Sequence, residues 1–327
     1  MRIGIIGIGS ISKNHIHALL QAGHQIVALC DIEPDRCEAA NQAFGLSAAI
    51  YTDYVKMLDE IALDSVHICT PHHLHTPMCC EALKRNIHVL CEKPFAISFE
   101  QLDMLAAAVK ASSATIGVCH QNRYNAPVVY AKRFFEGREI TSAAGSLLWA
   151  RGKKYYDGGA WRGKWATEGG GVMINQALHT LDLLGWFCGD PVSVKAHVAN
   201  DTLQGIIEVE DTAHAIFSLP NGGNFVIDAT NAAGANFPVN IMLHEGNDTV
   251  LISGTKTLII NGQAIPFEDT QAALGKTEWG TGHLMLIRDF YDCIACGRHF
   301  PLDFEEGSRV VRMILKMYES NGQTLPL

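Results

Sequence analysis

The segment CEKPFA (91–96) places Lys93 directly before a proline, at the end of an apolar run, HVLCE (88–92). Pro94 restricts Lys93 to an extended backbone and lowers the cost of a cis peptide bond, which would aim the side chain in one direction. An ammonium group held in this way could polarise the oxygen of a bound substrate. The alternative interpretation is a charged surface loop with no chemical role.

A second group of polar residues lies in EGGGVMINQALHTLD (168–182). Its glycines permit close approach at a helix start, and the spacing i, i+4, i+7 puts Asn175, His179 and Asp182 on one face of that helix. A neutral imidazole at His179 can take the proton of a hydroxyl as hydride leaves the same carbon, and Asp182 could orient the ring. A lone histidine on a helix is usually structural, so the helix by itself does not decide the role of His179.

The first 120 or so residues contain the elements that would position Lys93. Helical patterns cover 10–22, 34–44, 75–86 and 98–111, and they alternate with the apolar runs RIGII (2–6), QIVALCD (25–31), SVHICT (65–70), HVLCE (88–92) and TIGVCH (115–120). This alternation predicts an α/β domain with a Rossmann doubly wound parallel sheet, covered on both faces. The C-terminal ends of such strands face the crevice where ligands bind, so Lys93 would lie beside a ligand.

The pattern changes near residue 122, which divides the chain into a dinucleotide-binding domain (1–122) and a substrate-binding and oligomerisation domain (123–327). The second part combines helices with strand-like runs and the hairpin turn signals NGG and EGND. The expected elements are a helix over 125–137, a strand over 143–151, a helix from about 170, strands between 192 and 260, and helices near 280–297 and 304–319. We predict an α+β domain with a large, mostly antiparallel, open-faced sheet.

A glycine-rich turn, GIGSIS (7–12), follows the first strand and opens the first helix. Gly7 permits the tight turn, and Gly9 lets the backbone approach a pyrophosphate at the helix N-terminus, where Ser10 and Ile11 also lie. Asp31 ends the second strand, where a carboxylate binds the ribose hydroxyls and repels a 2′-phosphate. We therefore predict NAD as the preferred cofactor, and the nearby Arg36 leaves NADP possible.

The composition limits the classes of function. The 327 residues suggest two domains, and with 48% hydrophobic and 18% charged residues there is material for a sizeable core. A net charge of −9 argues against nucleic acid as the main partner, although the stretch RGKKYYDGGAWRGKW (151–165) is basic and aromatic. The N-terminus lacks the pattern of a signal peptide, and no apolar run is long enough to span a bilayer. We predict a soluble cytoplasmic protein.

The cysteines and clustered histidines do not predict a metal site. Most of the ten cysteines lie in apolar strands or helices, as small buried residues in a reducing compartment do. The C-x-x-C of Cys293 and Cys296 stands alone in an apolar helix pattern. The histidines of HHLH (72–75) point in different directions because they are adjacent.

Taken together, GIGSIS, CTPHHLHTPMCCEALKRNIHVLCEKP, QNRYN and EGGGVMINQALHTLD resemble the Gfo/Idh/MocA family, named after glucose–fructose oxidoreductase, inositol dehydrogenase and rhizopine catabolism. The resemblance spans nearly the whole chain. It implies that Lys93 and His179 are catalytic, that the substrate is a sugar, an inositol or a derivative, and that the second domain forms a homodimer or homotetramer. Many similar members carry aspartate where this chain has Asn175, which can hydrogen-bond a substrate hydroxyl but cannot relay a proton.

The resemblance also implies contacts with the ligands. The expected cofactor contacts are Thr70, Pro71, His72, His75, Glu92, Lys93 and Gln121. Arg123, after the run 115–120, is expected to face substrate or nicotinamide. A lid is expected over 151–165, with Lys153, Trp161, Arg162 and Trp165 near polyol hydroxyls or a carboxylate. His283, in the helix start GTGH, could reach the same pocket.

The predicted function is an NAD(P)-dependent oxidoreductase acting on a secondary alcohol of a sugar-like or inositol-like substrate. Two alternatives remain open. One is a glycoside hydrolase that keeps NAD bound and oxidises its substrate transiently. The other is a non-catalytic, dinucleotide-bound regulator, which would need neither Lys93 nor His179.

Overall fold

The computed structural model describes residues 1–267 and 282–327, which separate into two compact units. The first unit comprises 1–121 and 282–308, and the second comprises 122–267 and 309–327. The predicted second domain, 123–327, thus differs from the second unit by the segment 282–308. Aromatic side chains explain this difference, because a Cβ built on Gly117 would lie 2.6 Å from Phe300 and 3.1 Å from Phe290. The segment therefore completes the core of the first unit.

The helices and strands follow in chain order. The strands are β1 (Arg2–Ile6), β2 (Gln25–Cys30), β3 (Ala49–Tyr51), β4 (Ser65–Ile68), β5 (His88–Cys91), β6 (Ile116–Val118), β7 (Ser142–Leu148), β8 (Ser193–Ala199), β9 (Thr212–Ser218), β10 (Asn224–Thr230), β11 (Asn240–Glu245), β12 (Asp248–Ser253), β13 (Thr257–Ile260), β14 (Gln263–Ile265) and β15 (Thr324–Pro326). The α-helices are α1 (Ser12–Gln21), α2 (Pro34–Phe44), α3 (Tyr54–Glu60), α4 (His75–Lys84), α5 (Phe99–Ala111), α6 (Ala126–Phe134), α7 (Lys153–Asp157), α8 (Leu178–Cys188), α9 (Gly282–Cys296) and α10 (Phe304–Ser320). Short 3₁₀ segments cover His72–Leu74 and Gln121–Tyr124, and a π-helical segment covers Met173–Ala177.

The first unit contains a six-stranded parallel sheet in the order β3-β2-β1-β4-β5-β6. The order reverses between β1 and β4, which is the position where doubly wound sheets bind their ligands. The predicted Rossmann sheet is confirmed. All four residues of β4 are buried, as expected for a strand covered on both faces.

The second unit contains a nine-stranded sheet in the order β14-β13-β12-β11-β7-β10-β9-β8-β15. Its pairs are antiparallel except for β7 and β10, which are parallel, so the mostly antiparallel prediction is confirmed. A continuous meander is not formed, because β7 lies between β10 and β11. Helix α8 packs on one face, where a Cβ built on Gly145 would lie 2.7 Å from Thr180 and 2.9 Å from Leu184. On the other face Ile216 and Met242 are each about half exposed.

Among the residues that the structure describes, none of the helices is both long and apolar enough to cross a bilayer.

Candidate functional site

Two glycines at the turn after β1 have different surroundings. Gly7 has φ +88°, and a Cβ built on it would lie 2.7 Å from the carbonyl of Cys69, so only glycine is compatible with this packing. A Cβ built on Gly9 would meet no described atom within 4 Å. Gly7 is therefore required by the protein's own backbone, whereas the space beside Gly9 is open for a ligand. Ser10 is exposed beside it, and Ile11 occupies the N-cap position of α1.

Asp31 follows β2 and is nearly buried. Its Oδ2 accepts the backbone N–H of Ile8 at 2.7 Å, and its Oδ1 accepts that of Glu33 at 3.0 Å. Helix α1 has no acidic residue in its first turn and no side-chain cap, so its N-terminal N–H groups suit an anion. These residues fit a dinucleotide. The guanidinium of Arg36 lies 4.0 Å from Asp31 and is about half exposed, so the local charge does not exclude NADP.

Lys93 is the one residue of 89–96 that is not buried. The Lys93–Pro94 peptide bond is cis, as the sequence suggested. The carbonyl of Pro94 lies 2.6 Å from Nδ1 of His75, and the carbonyl of Phe95 accepts the hydroxyl of Thr76 at 2.9 Å. The backbone on the C-terminal side of Lys93 is thus fixed by α4, while its side chain has access to solvent.

His75 was expected to contact the cofactor, and the structure gives it a second role. Its Nε2 lies 2.7 Å from the carbonyl of Thr70, so both ring nitrogens face carbonyl acceptors. Burial lowers the pKa of His75, although the two backbone hydrogen bonds act in the opposite direction. The ring joins the end of β4 to the Lys93–Pro94 turn. Direct contact between His75 and the cofactor stays a prediction.

Glu92 lies beneath the turn in a buried polar cluster. Its Oε2 accepts the backbone N–H of Lys93 at 3.3 Å, and its Oε1 lies 3.0 Å from Nε2 of His15 and 3.4 Å from Nε2 of His283. Burial opposes ionisation of Glu92, but the hydrogen bonds with both histidines outweigh it and hold its pKa well below the usual range. The structure therefore places His283 in the first unit beside Glu92. Its predicted contact with substrate stays a prediction.

The other expected cofactor contacts lie close to these elements. Thr70 donates its hydroxyl to the sulfur of Met78 at 3.4 Å, and Pro71 precedes the 3₁₀ segment that contains the buried His72. Gln121 is buried where the next 3₁₀ segment begins. Their contacts with a dinucleotide stay predictions.

In the second unit, Asn175 and His179 are the two residues of 168–185 that are not buried. Asn175 lies in the π-helical segment and His179 in the first turn of α8. Such segments occur frequently at functional sites. Asn175 and His179, four residues apart, thus both reach solvent. Asp182 is only 2% exposed and does not reach solvent with them, and its predicted role of orienting the ring of His179 stays a prediction.

Asp182 forms a buried ion pair with Arg123. Nε and Nη2 of Arg123 donate to the two carboxylate oxygens at 2.9 and 2.6 Å, and the guanidinium lies 5.1 Å from the ring of Trp186. Two-pronged pairs of this kind fix a geometry and leave little freedom to either partner. Arg123 was expected to face substrate or nicotinamide. The structure gives it this pair, and a contact with a ligand stays a prediction.

Asn175 belongs to a polar network that the sequence did not reveal. Its Nδ2 donates to Oε1 of Glu168, and Tyr155 OH accepts from Nδ2 of Asn175 at 3.4 Å and from Nε2 of Gln176 at 3.0 Å. Burial raises the pKa of Tyr155. The amide nitrogen of Asn175 is therefore directed into the protein, and its oxygen is the atom better placed for a substrate hydroxyl.

The segment expected to form a lid divides into two parts. Arg162 lies 4.7 Å from the ring of Tyr155 and 5.2 Å from that of Trp161, next to the Asn175 network. Lys153 is largely exposed in α7 and pairs with Asp157 at 2.6 Å, and Trp165 donates to the carbonyl of Glu208 at 3.0 Å. Tyr155 is thus the member of this segment that contacts Asn175 directly, and Arg162 lies between Tyr155 and Trp161. The role of all four residues as a lid over substrate stays a prediction.

Comparison with known proteins decides the family. Residues 1–120 match the model described as "Oxidoreductase family, NAD-binding Rossmann fold", and residues 139–260 match that of the Gfo/Idh/MocA C-terminal domain. The chain belongs to the Gfo/Idh/MocA family of oxidoreductases. The family resemblance inferred from the motifs is therefore confirmed.

Relatives of this Gfo/Idh/MocA chain include several sugar dehydrogenases. D-apiose dehydrogenase of Paraburkholderia graminis is 29% identical over 254 residues, which cover 76% of this chain but only 66% of that protein. Levoglucosan dehydrogenase of Pseudarthrobacter phenanthrenivorans is 23% identical, with 95% of this chain and 93% of that protein covered. The WlbA dehydrogenase of Bordetella pertussis, solved with NADH and UDP-GlcNAcA, is 28% identical with a TM-score of 0.86, covering 100% of this chain and 98% of that one.

Two glycines before the π-helical segment are required by packing within this Gfo/Idh/MocA chain. A Cβ on Gly171 would lie 1.9 Å from the carbonyl oxygen of Glu210, and one on Gly170, where φ is +150°, would lie 2.0 Å from Tyr318 OH. The close approach predicted at this helix start is therefore one between the glycines and other residues of the same chain.

The variant Gly171→Ala should lower the free energy of unfolding by about 2–3 kcal/mol, because the backbone carbonyl of Glu210 cannot move aside easily. Gly152→Ala is the matched control. Gly152 has φ −98°, and its built Cβ meets no described atom within 4 Å. Urea denaturation of both variants measures the difference, and equal loss in the two would contradict the packing argument.

Glu210 is a buried carboxylate at the same helix start. It accepts the backbone N–H of Gly171 at 2.8 Å and of Met173 at 3.0 Å, and the hydroxyl of Tyr318 at 2.9 Å. Burial raises its pKa to about 7, although these hydrogen bonds act in the opposite direction. The folded protein thus holds this proton more tightly than the unfolded chain does.

The Glu210 contribution to the free energy of unfolding should be greatest near pH 4 and should fall by roughly 3 kcal/mol as the pH rises through 7. Urea denaturation across this range should show the fall in the wild type and in Glu208→Gln, because Glu208 is exposed. The fall in the free energy of unfolding should be absent from Glu210→Gln. Parallel curves for all three proteins would show that Glu210 does not titrate in this range.

Several residues of the site carry signals too weak to identify them from sequence. His15 follows the glycine-rich turn within α1 and faces inward toward Glu92, where the helical period alone suggests one more core position. Tyr155 stands out only as part of an aromatic stretch. Glu168 and Glu210 are buried acids, a class that burial rules predict to be rare.

Proposed function

We propose that the protein is an NAD-dependent dehydrogenase that transfers hydride between a secondary alcohol of a sugar-like or cyclitol substrate and the nicotinamide. One observation carries the proposal. Lys93 and His179 are each left accessible in a segment that is otherwise buried, apart from Asn175 beside His179. An accessible ammonium and an accessible imidazole in otherwise buried segments interrupt the packing there. A role of both groups in the reaction would explain why they are accessible.

Each residue would have a separate task. His179 accepts the hydroxyl proton during oxidation and returns it during reduction, and Lys93 polarises the same oxygen. The dinucleotide, when bound, supplies the acceptor for the hydride. The oxygen of Asn175 holds a neighbouring hydroxyl. In oxidation the alcohol loses two electrons and one hydrogen as hydride, and its remaining proton goes to the imidazole.

The substrate class draws support from the relatives, which include an apiose dehydrogenase and a levoglucosan dehydrogenase. The WlbA structure contains an N-acetylated uronic acid joined to UDP. Arg162 and Trp161, packed beside Tyr155, are suitable for an anionic or ring-shaped sugar derivative. We expect a substrate within this group.

Reduction of NAD should be measured against inositols, aldoses, anhydrosugars, sugar acids and UDP-linked uronic acids, followed by the same panel with NADP. We expect NADH formation with one chemical group of the panel and a preference for NAD because of the Asp31 carboxylate. A preference for NADP would show that Arg36 outweighs Asp31.

The same experiment separates the alternatives. A transient-oxidation glycoside hydrolase would cleave a glycoside without added NAD and without releasing NADH. A regulator would bind NAD and convert none of the panel. Absence of turnover together with tight NAD binding would therefore overturn the dehydrogenase proposal.

We also propose that the protein is cytoplasmic and forms a homodimer or homotetramer through its nine-stranded sheet. None of the ten cysteines, all of which lie in the described residues, is in a disulfide, which supports a reducing compartment. The face of the sheet opposite α8 leaves Ile216 and Met242 about half exposed, which supports association through that face.

A further inference from the structure

A cluster of metal-ligating side chains lies beneath Lys93 within the first unit. One donor atom each from His15, Glu92 and Cys119 lies within 4.8 Å of the other two, and all three residues are buried. They come from α1, from the residue after β5 and from the residue after β6. We propose that these residues bind one transition-metal ion, Zn²⁺ in the cell, and that the ion fixes the backbone of Lys93.

The distances suit a tetrahedral ion. Nε2 of His15 lies 3.0 Å from Oε1 of Glu92 and 4.0 Å from Sγ of Cys119. Ligand atoms at zinc bond lengths of about 2.0–2.3 Å are about 3.3–3.7 Å apart in a tetrahedron. Shifts of up to about an ångström would therefore admit the ion. His283, whose Nε2 lies 3.4 Å from the same carboxylate oxygen, is the nearest candidate for the fourth ligand.

The rings behind His15 allow the tautomer that a metal needs. Nδ1 of His15 lies 2.7 Å from Nδ1 of His67, whose Nε2 lies 2.7 Å from the hydroxyl of Tyr291. When Nδ1 of His15 donates to His67, the lone pair of His15 Nε2 is directed at the Glu92 carboxylate and is available to a metal ion. In the other tautomer Nε2 donates to that carboxylate instead.

A hydrogen bond or a metal ion could join His15 to Glu92, and the three kinds of donor suit the metal. The Cys119 thiol also lies within reach of the Glu92 carboxylate, so a nitrogen, an oxygen and a sulfur donor lie together in one buried cluster. With Zn²⁺, one carboxylate, one thiolate and neutral histidines give a net charge of zero, as a buried site requires. Thiolate and imidazole ligands also favour Zn²⁺ over Mg²⁺ or Ca²⁺.

The ion would act on Lys93 through Glu92. Oε1 of Glu92 binds the metal, and Oε2 accepts the backbone N–H of Lys93 at 3.3 Å. The carboxylate then bridges the ion and the turn that carries the lysine. The site is structural, and it stands whether or not the dehydrogenase proposal holds.

Cobalt substitution tests the site without relying on activity. The metal is removed from the Cys296→Ser protein, which lacks the exposed thiol, and Co²⁺ is then added. We expect a thiolate-to-cobalt charge-transfer band at about one Co²⁺ per chain. The band should disappear in Cys119→Ser and persist in Cys69→Ser, a matched control because Cys69 is also buried and lies outside the donor set.

Zinc content and X-ray absorption of the untreated wild type complete the test and need no variant. We expect about one zinc per chain, with one sulfur among its ligands. A protein that folds with less than about 0.1 zinc per chain and gives no band with Co²⁺ would overturn the proposal. A band that survives Cys119→Ser would also overturn it.

Discussion

Replacing Lys93 with methionine should lower kcat about 10³-fold while changing the dissociation constant of NADH by no more than about threefold. Methionine keeps the length of the side chain and removes the charge. Residues 89–96 are otherwise buried, and the turn is held by Glu92 on one side and by His75 on the other, so the backbone should be unaffected. The loss then measures the ammonium group alone.

Steady-state kinetics and fluorescence titration with NADH measure the two quantities, with Lys110→Met as the control. Lys110 is exposed in the last turn of α5. A variant that changes KM while keeping kcat would show that Lys93 only binds substrate. Full activity in Lys93→Met would support the alternative interpretation, in which Lys93 lies in a charged surface loop with no chemical role.

The variant His179→Asn should lower kcat by a similar factor, about 10²–10³, and should also change the shape of the pH profile. Oxidation needs the neutral imidazole, so the rate of the wild type should fall toward acid pH as the ring is protonated. Asparagine retains hydrogen bonding and cannot take the proton. The acid limb of the oxidation profile should therefore disappear in the variant.

The control for this prediction is His299→Asn, because His299 is exposed and pairs with Asp303 at 2.8 Å. Its profile should match that of the wild type. An acid limb retained in His179→Asn would show that another group accepts the proton. Tyr155, hydrogen-bonded to Asn175 and Gln176, would then be the first residue to examine.

The Rossmann part of the fold could be predicted because buried parallel strands produce continuous apolar runs. Strand β3 could not be predicted because it is only three residues long and none of its residues is buried. In the second unit strands such as β7, β9 and β10 alternate between buried and more exposed residues, but alternation does not fix which strands become neighbours. The place of β7 between β10 and β11 depends on contacts between residues far apart in sequence, such as Gly145 and Ile241.

In the candidate site, too, some residues could be predicted from local sequence patterns and others could not. Lys93 and the pair of Asn175 with His179 could be found because local patterns place them. The partners of these residues are distant in sequence, as with Arg123 and Asp182 or His15 and Glu92. Charge counting does not reveal such pairs, because burial rather than spacing determines which opposite charges meet.

The nine-stranded sheet ends in very short strands on both sides. Each outermost strand, β14 and β15, has three residues, and β15 ends at Pro326, which has no N–H to donate. Short borders with a proline offer few free backbone groups to a passing strand, so they discourage growth of the sheet by edge-to-edge pairing and protect it from aggregation. In the homo-oligomer proposed above, this would favour contact through the broad faces of the sheet and a closed assembly rather than a fibre.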